Sequence, residues 1–136
     1  LQASEKKLVS LSDEIKFVDS YFFLVQMRYN KNISLQLDID NKWMQFRIPP
    51  LALQILVENA IRHNEISKNN PLELTIVTSE KSISVTNSIN PKITPEPGTG
   101  IGLANLSNQY RLLSEKEISI TSNNTRFWVE IPLLEP

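Results

Sequence analysis

Two groups of residues in this 136-residue sequence have the types and spacing needed to bind a charged ligand. The first is a five-residue run that holds all three glycines, Gly98-Thr99-Gly100-Ile101-Gly102. Glycine allows positive φ angles and lets the backbone come close to a ligand. A glycine loop that opens a helix directs free N–H groups and the positive end of the helix dipole to one point. The run therefore predicts an anion site, with phosphate as the favoured ligand.

Two familiar phosphate-binding motifs do not fit this glycine loop. A P-loop requires Gly-Lys-Ser/Thr, and no lysine follows Gly102. A Rossmann fingerprint requires a strand and a short turn before the glycines, whereas residues 88–97 contain three prolines. Taken alone, the loop is also compatible with a lid hinge that binds nothing.

The second group is Glu58-Asn59, in the middle of an otherwise apolar helical segment. Asparagine is a poor residue for a helix interior because its side chain competes for backbone hydrogen bonds. Asn59, Arg62 and His63 lie one turn apart and share a helical edge. An amide oxygen can ligate Mg²⁺, and a guanidinium can bind phosphate. The alternative interpretation of this edge is a solvated helix face without a ligand.

The composition excludes several classes of function. The chain has no cysteine and one histidine, which rules out disulfides, thiol catalysis and multi-histidine or cysteine metal sites. A net charge of −1 argues against nucleic acid or an anionic membrane as the main partner. No apolar run approaches the roughly 20 residues that span a bilayer. Because the sequence starts at Leu1 instead of Met, we expect it to be a fragment of a longer protein.

Hydrophobic periodicity predicts the elements that position these residues. A helix is predicted from Leu8 to about Tyr29, capped by Ser10 or Ser12, with Asp13 and Glu14 as favourable first-turn charges. Its apolar stripe is Leu11, Ile15, Val18, Phe22 and Val25. Alternation then predicts a β-hairpin from Ile33–Ile39 and Trp43–Ile48. Pro49-Pro50 opens a second helix that runs to about His63.

Hydrophobic periodicity also predicts the elements of the second half of the chain. The predicted elements are a strand pair (72–78 and 82–87), a long mobile loop (88–100), a helix (101–113) and a closing hairpin (117–121 and 125–131). This order predicts the α+β class, as a two-layer sandwich. A mixed, mostly antiparallel sheet would carry the helices on one face.

Both chemical groups resemble motifs of one superfamily. Leu56-Val-Glu-Asn-Ala-Ile-Arg-His63 resembles the N box of the GHKL ATP-binding superfamily, in the form found in LytS-like sensor histidine kinases. Gly98-Thr-Gly-Ile-Gly-Leu-Ala-Asn105 resembles the glycine-rich G2 box of the same kinases. The helix from Leu11, Pro49-Pro50 and the end of the chain from Thr125 to Pro132 also match, so the resemblance covers nearly the whole chain in order.

The resemblance implies a Bergerat fold that binds ATP and Mg²⁺ between the N-box helix and a lid. Residues 1–30 would be a linker and N-terminal helix that follow a missing dimerisation and phosphoacceptor region, and residues 31–136 the ATP-binding domain. The implied activity is a histidine protein kinase, inactive as an isolated fragment, that transfers the γ-phosphoryl of ATP to a histidine outside this chain. The implied setting is the cytoplasmic part of a membrane-bound, homodimeric sensor protein with a response regulator as partner.

The resemblance also implies roles for individual residues. Asn59 would hold Mg²⁺, and Glu58 beside it would share the catalytic role. His63 would form part of the pocket wall instead of being the phosphoacceptor. The ATP-binding set would comprise Asn59, Arg62, His63, Asn87, Gly98, Thr99, Gly100, Ile101, Gly102, Leu103 and Thr125.

The chain departs from the family at the adenine-binding G1 box. The usual Asp-x-Gly-x-Gly is replaced by Asn87-Ser88-Ile89-Asn90-Pro91. An amide oxygen can still accept a hydrogen bond from adenine, but Ile89 is predicted to crowd the base. A degenerate, non-catalytic interaction module is therefore the second hypothesis. A GHKL ATPase is the third, opposed by Ile55, which occupies the position of the water-activating glutamate in those relatives.

Overall fold

The computed structural model describes residues 8–90, 92, 101–113 and 116–136. This part of the chain forms three helices, α1 (Leu11–Tyr29), α2 (Ala52–His63) and α3 (Ile101–Leu113). The strands are β1 (Val9–Ser10), β2 (Ile33–Asp38), β3 (Arg47–Ile48), β4 (Leu72–Ser79), β5 (Ser82–Ser88), β6 (Ser119–Ser122) and β7 (Arg126–Pro132). All three predicted helices and the two later strand pairs are therefore confirmed. Within these ranges no helix is both long and apolar enough to cross a membrane.

The main sheet has five strands in the order β2-β4-β5-β7-β6. β2 runs parallel to β4, and the other neighbouring strands pair antiparallel. One sheet face is buried because apolar residues alternate along the central strands, as Leu74 and Ile76 do in β4 and Ile83 and Val85 in β5. This arrangement confirms the predicted α+β class and its mixed, mostly antiparallel sheet.

Helix α1 forms where its apolar stripe predicts it. Leu11, Val18, Phe22 and Val25 are buried against the core, and Ile15 packs at its edge. The side chain of Ser10 accepts a hydrogen bond of 3.1 Å from the backbone N–H of Asp13, which fixes the start of the helix.

The predicted hairpin of residues 33–39 and 43–48 is wrong. β2 pairs with β4, more than 30 residues away, and the short β3 pairs with β1. The intervening Asn41–Trp43 is a 3₁₀ turn in which the Asp40 carboxylate accepts the N–H of Lys42. Trp43 is buried in the core and packs edge-on against Phe46, with ring centroids 5.0 Å apart. Because the indole is buried in the core, this segment turns away from β2, and β2 pairs with β4 instead.

Glu14 has a role beyond its predicted first-turn charge. Its carboxylate is 3% exposed and accepts hydrogen bonds from the backbone N–H groups of Leu51 (3.0 Å) and Leu53 (3.3 Å). Leu51 precedes α2 at φ 65° and provides no side-chain cap of its own. Glu14 on α1 therefore caps the N-terminus of α2 across the helix–helix interface. Burial raises the pKa of Glu14, while the backbone hydrogen bonds act to lower it.

A hydrogen bond from Tyr110 ties α3 to the last strand. The ring is fully buried, and its hydroxyl donates to the carbonyl oxygen of Pro132 at 2.7 Å. Tyr110→Phe is expected to lower the free energy of unfolding by about 1–2 kcal/mol, because a buried carbonyl loses its donor. Urea unfolding measures the loss, with Tyr29→Phe as the control that keeps an aromatic ring near the surface. A Tyr110→Phe variant as stable as the parent would contradict this role.

Candidate functional site

A cavity of about 280 Å³ lies between the C-terminal half of α2 and the end of β5. Its size is near the lower end of small-molecule sites, so it suits a planar base better than a whole nucleotide. Three residues of the predicted ATP-binding set meet in its wall: Asn59 and His63 from α2, and Asn87 from β5. The remaining lining residues are Ala60, Asn64, Ile89, Ser122 and Phe127. The sheet and α2 thus bring together residues separated by up to 68 positions.

Asn59 lies on the cavity side of α2 and is half-buried. Its amide oxygen is the kind of hard oxygen donor that Mg²⁺ accepts. Within the described ranges, no three His, Cys, Asp or Glu side chains cluster closely enough to hold a metal by themselves. The donor set therefore suits Mg²⁺ that is bound through one amide oxygen, water and the phosphates of a ligand, which is common for this ion.

Asn87 is buried in the cavity wall, with 2% of its surface exposed. Its amide nitrogen donates to the carbonyl oxygen of Ser88 at 2.7 Å. This bond engages one N–H of the amide and orients the group at the end of β5. Asn87 therefore brings a neutral amide to the cavity wall.

The segment after Asn87 is fastened to the end of α2 by Asn64, which the sequence analysis missed. Asn64 is buried; its amide nitrogen donates to the carbonyl oxygen of Ala60 (2.8 Å), and its amide oxygen accepts the N–H of Asn90 (2.7 Å). The N–H of Glu65 donates to the carbonyl oxygen of Asn90 at 2.6 Å. The available signal was an asparagine directly after the last helical residue, a position that favours capping side chains.

Ile89 and Thr125 meet at the rim of the cavity. The N–H of Ile89 donates to the carbonyl oxygen of Thr125 at 3.1 Å. Of these two residues, Ile89 lines the cavity. The Thr125 side chain is exposed and bonds locally to Asn123 at 3.2 Å. Thr125 therefore supports the cavity wall through its backbone.

Glu58 and Arg62 do not line this cavity. Glu58 accepts a hydrogen bond of 2.9 Å from the amide nitrogen of Gln54, one turn earlier on α2. Burial, and after it the charge of Glu58, raises the pKa of Tyr21 on α1 to about 12, whereas Arg62 acts to lower it. Both α2 side chains thus act electrostatically on α1, and the catalytic and phosphate-binding roles expected of them stay predictions.

The glycine loop lies mostly outside the described residues. Gly98, Thr99 and Gly100 belong to that part, as does most of the loop predicted over residues 88–100. Ile101 is the first residue of α3, as predicted, and Leu103 is half-buried beside the core. A Cβ atom on Gly102 would lie 3.2 Å from Cγ2 of Ile55, so glycine here lets α3 pack closely against α2.

The fold is similar to that of solved histidine kinase catalytic domains. The catalytic domain of histidine kinase ThkA superposes with a TM-score of 0.61 at 20% identity, covering 95% of this chain and 97% of that domain. The cytoplasmic segment of histidine kinase QseC gives 0.62 at 14% identity, with 95% of this chain and 78% of that segment covered. At these identities the likeness concerns the fold.

The sequence comparison identifies a more particular relative. The sensor histidine kinase/phosphatase LytS of Staphylococcus aureus is 28% identical over 97% of this chain and 26% of its own length. The chain therefore spans about a quarter of the curated relatives that it matches. No protein-family profile matches it. The resemblance to LytS-like sensor histidine kinases is confirmed.

Proposed function

We propose that this chain is the ATP·Mg²⁺-binding catalytic domain of a two-component sensor histidine kinase. The observation that carries the proposal is the cavity that joins Asn59 and His63 of the N-box-like helix to Asn87 at the end of β5. The similarity to LytS over 97% of the chain supports it independently.

Each element has a distinct task under this proposal. The oxygen of Asn59 holds Mg²⁺, which neutralises phosphate charge when it is bound. Asn87 accepts a hydrogen bond from the base, and the run from Gly98 to Leu103 surrounds the phosphates with backbone N–H groups. Catalysis is then chiefly positioning and charge neutralisation.

The phosphoryl acceptor in this proposal is a histidine outside the chain. His63 is exposed and contributes to the cavity wall, a place suited to contacting a bound base. The full protein would act as a homodimer, pass the phosphoryl group to a response regulator and carry this domain on the cytoplasmic side of a membrane.

A degenerate, non-catalytic module is the second candidate. The observation in its favour is Ile89, a branched apolar side chain in the cavity wall where related kinases have glycine. The ATPase hypothesis is weaker. Ile55 packs against the start of α3, and an apolar side chain cannot activate water.

Thermal unfolding with and without MgATP distinguishes an ATP-binding kinase domain from a degenerate, non-catalytic module. Nucleotide at about 100 times its Kd stabilises a one-site protein by about 2.7 kcal/mol, roughly 5–10 °C in Tm at this size. We expect a rise of this order with MgATP. No change in Tm at millimolar MgATP would favour the non-catalytic module.

The isolated chain is expected neither to phosphorylate itself nor to hydrolyse ATP appreciably. No carboxylate stands at position 55 to activate water, and the chain's one histidine belongs to the cavity wall. Incubation with γ-labelled ATP tests this, and a phosphoacceptor segment supplied in trans should restore transfer. Label on His63 would contradict a phosphoryl acceptor outside the chain. ATP turnover that disappears in Glu58→Ala would contradict the absence of a base that activates water.

A further inference from the structure

A second cavity, of about 270 Å³, lies on the outer face of the main sheet, and we call it the outer cavity. Along β4, Glu73 and Thr75 alternate with apolar residues that point into the core, so the cavity opens on the side of the sheet away from α2 and the Asn59 cavity. The residues that line the outer cavity are Ser34, Leu35, Gln36, Glu73, Leu74, Thr75 and Arg126.

The strand register places a carboxylate and a guanidinium on either side of a serine. Ser88 on β5 pairs with Arg126 on β7, and its hydroxyl accepts a hydrogen bond of 3.1 Å from the N–H of Glu73 on β4. Glu73 and Arg126 are therefore two strand spacings apart, about 10 Å between their backbones. Because the side chain of Ser88 is short, Arg126 can extend across β5 to the cavity that it lines together with Glu73.

Both charges of the outer cavity are unpaired. Glu73 and Arg126 form no ion pair with each other or with any other residue in the described ranges, although they line the same cavity. The side chains of Ser34, Gln36 and Thr75 likewise have no hydrogen-bond partner among the residues that the structure describes. The cavity thus presents one positive group, one negative group and three neutral polar groups that are all available to a ligand.

This set of groups fits a small zwitterion. A guanidinium binds a carboxylate with two parallel hydrogen bonds, and a carboxylate accepts hydrogen bonds from an ammonium group. An α-amino acid carries both charges on one short frame, so it can satisfy Arg126 and Glu73 together. A simple anion or cation would pair with one of them and be repelled by the other. The volume is near the lower end of small-molecule sites, which suits a free amino acid better than a nucleotide.

We propose that the outer cavity is a second binding site of this chain and that it binds a free α-amino acid with a small side chain. Arg126 holds the carboxylate of the ligand, and Glu73 holds its ammonium group. The neutral side chains beside them, which can both donate and accept hydrogen bonds, contact the rest of the ligand. The site shares no residue with the Asn59 cavity, so binding there needs no nucleotide.

Titration of the ¹⁵N-labelled chain with glycine, followed by amide chemical shifts without nucleotide, tests the proposal. A Kd on the order of 1–10 mM is expected, because the two charged residues are exposed and the ligand is very small. The amides of Glu73 and Arg126 should shift most, and those of α3 should stay unchanged. Acetate and methylammonium each carry one of the two charges of glycine and should bind at least about tenfold more weakly.

Glu73→Gln and Arg126→Gln are each expected to raise the Kd for glycine at least about tenfold, because each removes one charge-assisted contact. Glu130→Gln and Arg47→Gln are the matched controls and should bind glycine like the parent. Glu130 is on the same sheet face but accepts a hydrogen bond from Ser82 at 2.6 Å, and Arg47 is an exposed residue of β3; both lie outside the outer cavity. Melting curves check that every variant is folded.

Three results would overturn the proposal. The first is a parent chain whose cavity amides do not shift with glycine up to about 50 mM, well above the expected Kd. The second is acetate or methylammonium binding as tightly as glycine, which would show that one charge is enough. The third is a folded Glu73→Gln or Arg126→Gln variant that keeps the affinity of the parent.

Discussion

Asn59→Ala is expected to lower the affinity for MgATP by at least about a hundredfold while leaving the fold intact. The reason is that we propose the amide oxygen of this half-buried residue, which lines the cavity, as the protein ligand of Mg²⁺. A hundredfold loss corresponds to about 2.7 kcal/mol of binding free energy. Isothermal titration with MgATP measures the loss, and unfolding without nucleotide checks that the domain is folded.

Two comparisons make the Asn59 result specific. Asn108→Ala, at an exposed asparagine within α3, is the matched control and should bind MgATP like the parent. With EDTA present, the parent and Asn59→Ala should bind nucleotide almost equally weakly, because the metal is then absent from both. An Asn59→Ala variant that binds MgATP as tightly as the parent would refute the metal assignment.

Glu14→Ala is expected to lower the free energy of unfolding by about 3 kcal/mol. The substitution leaves the N–H groups of Leu51 and Leu53 without their acceptor and opens space between α1 and α2. Urea unfolding at neutral pH measures the effect. Asp19→Ala, which removes an exposed carboxylate from the same helix, is the control and should cost little. A small loss for Glu14→Ala would show that water can replace the cap.

The raised pKa of Glu14 also makes a prediction about pH. In the unfolded chain the pKa of this carboxyl is near its ordinary value of 4.5. The folded protein therefore keeps the proton on Glu14 at pH values at which the unfolded chain has already lost it. The part of its contribution that depends on protonation is thus complete below pH 4.5 and is lost as pH rises through the folded-state pKa, whereas the hydrogen bonds that its oxygens accept from Leu51 and Leu53 need no proton on the carboxyl group. Glu14→Gln does not titrate, so this part of the pH dependence should disappear in it. An unchanged pH profile in Glu14→Gln would assign the dependence to other groups.

The sequence by itself determined the local elements and the N-box-like motif that contains Asn59 and His63. The stripe of α1, the apolar side of α2 and the alternation in β4 and β5 are repeats within one segment, and such repeats specify a helix or a strand directly. The same local evidence placed Asn59 and His63 on one edge of α2. It also predicted that this strand ends at Asn87, one residue before the observed end of β5 at Ser88.

Only the tertiary structure decided which distant segments meet. β2 pairs with β4 instead of with its chain neighbour, because burial of Trp43 diverts the intervening residues. The cap that Glu14 provides for α2 joins residues 37 or more positions apart. The sequence pattern presents that glutamate as an ordinary first-turn charge.

The cavity wall shows the same limit of local evidence. Asn64 lies after the end of its helix, where a pattern of periodic residues contains nothing to detect, yet it holds Asn90 beside α2. Glu58 is adjacent to Asn59 in sequence but is rotated about 100° around the helix, so it interacts with Gln54 and Tyr21 instead of the cavity. Periodicity determines the face on which a residue lies. Long-range packing determines what that face meets, because those contacts depend on the positions of all the elements together.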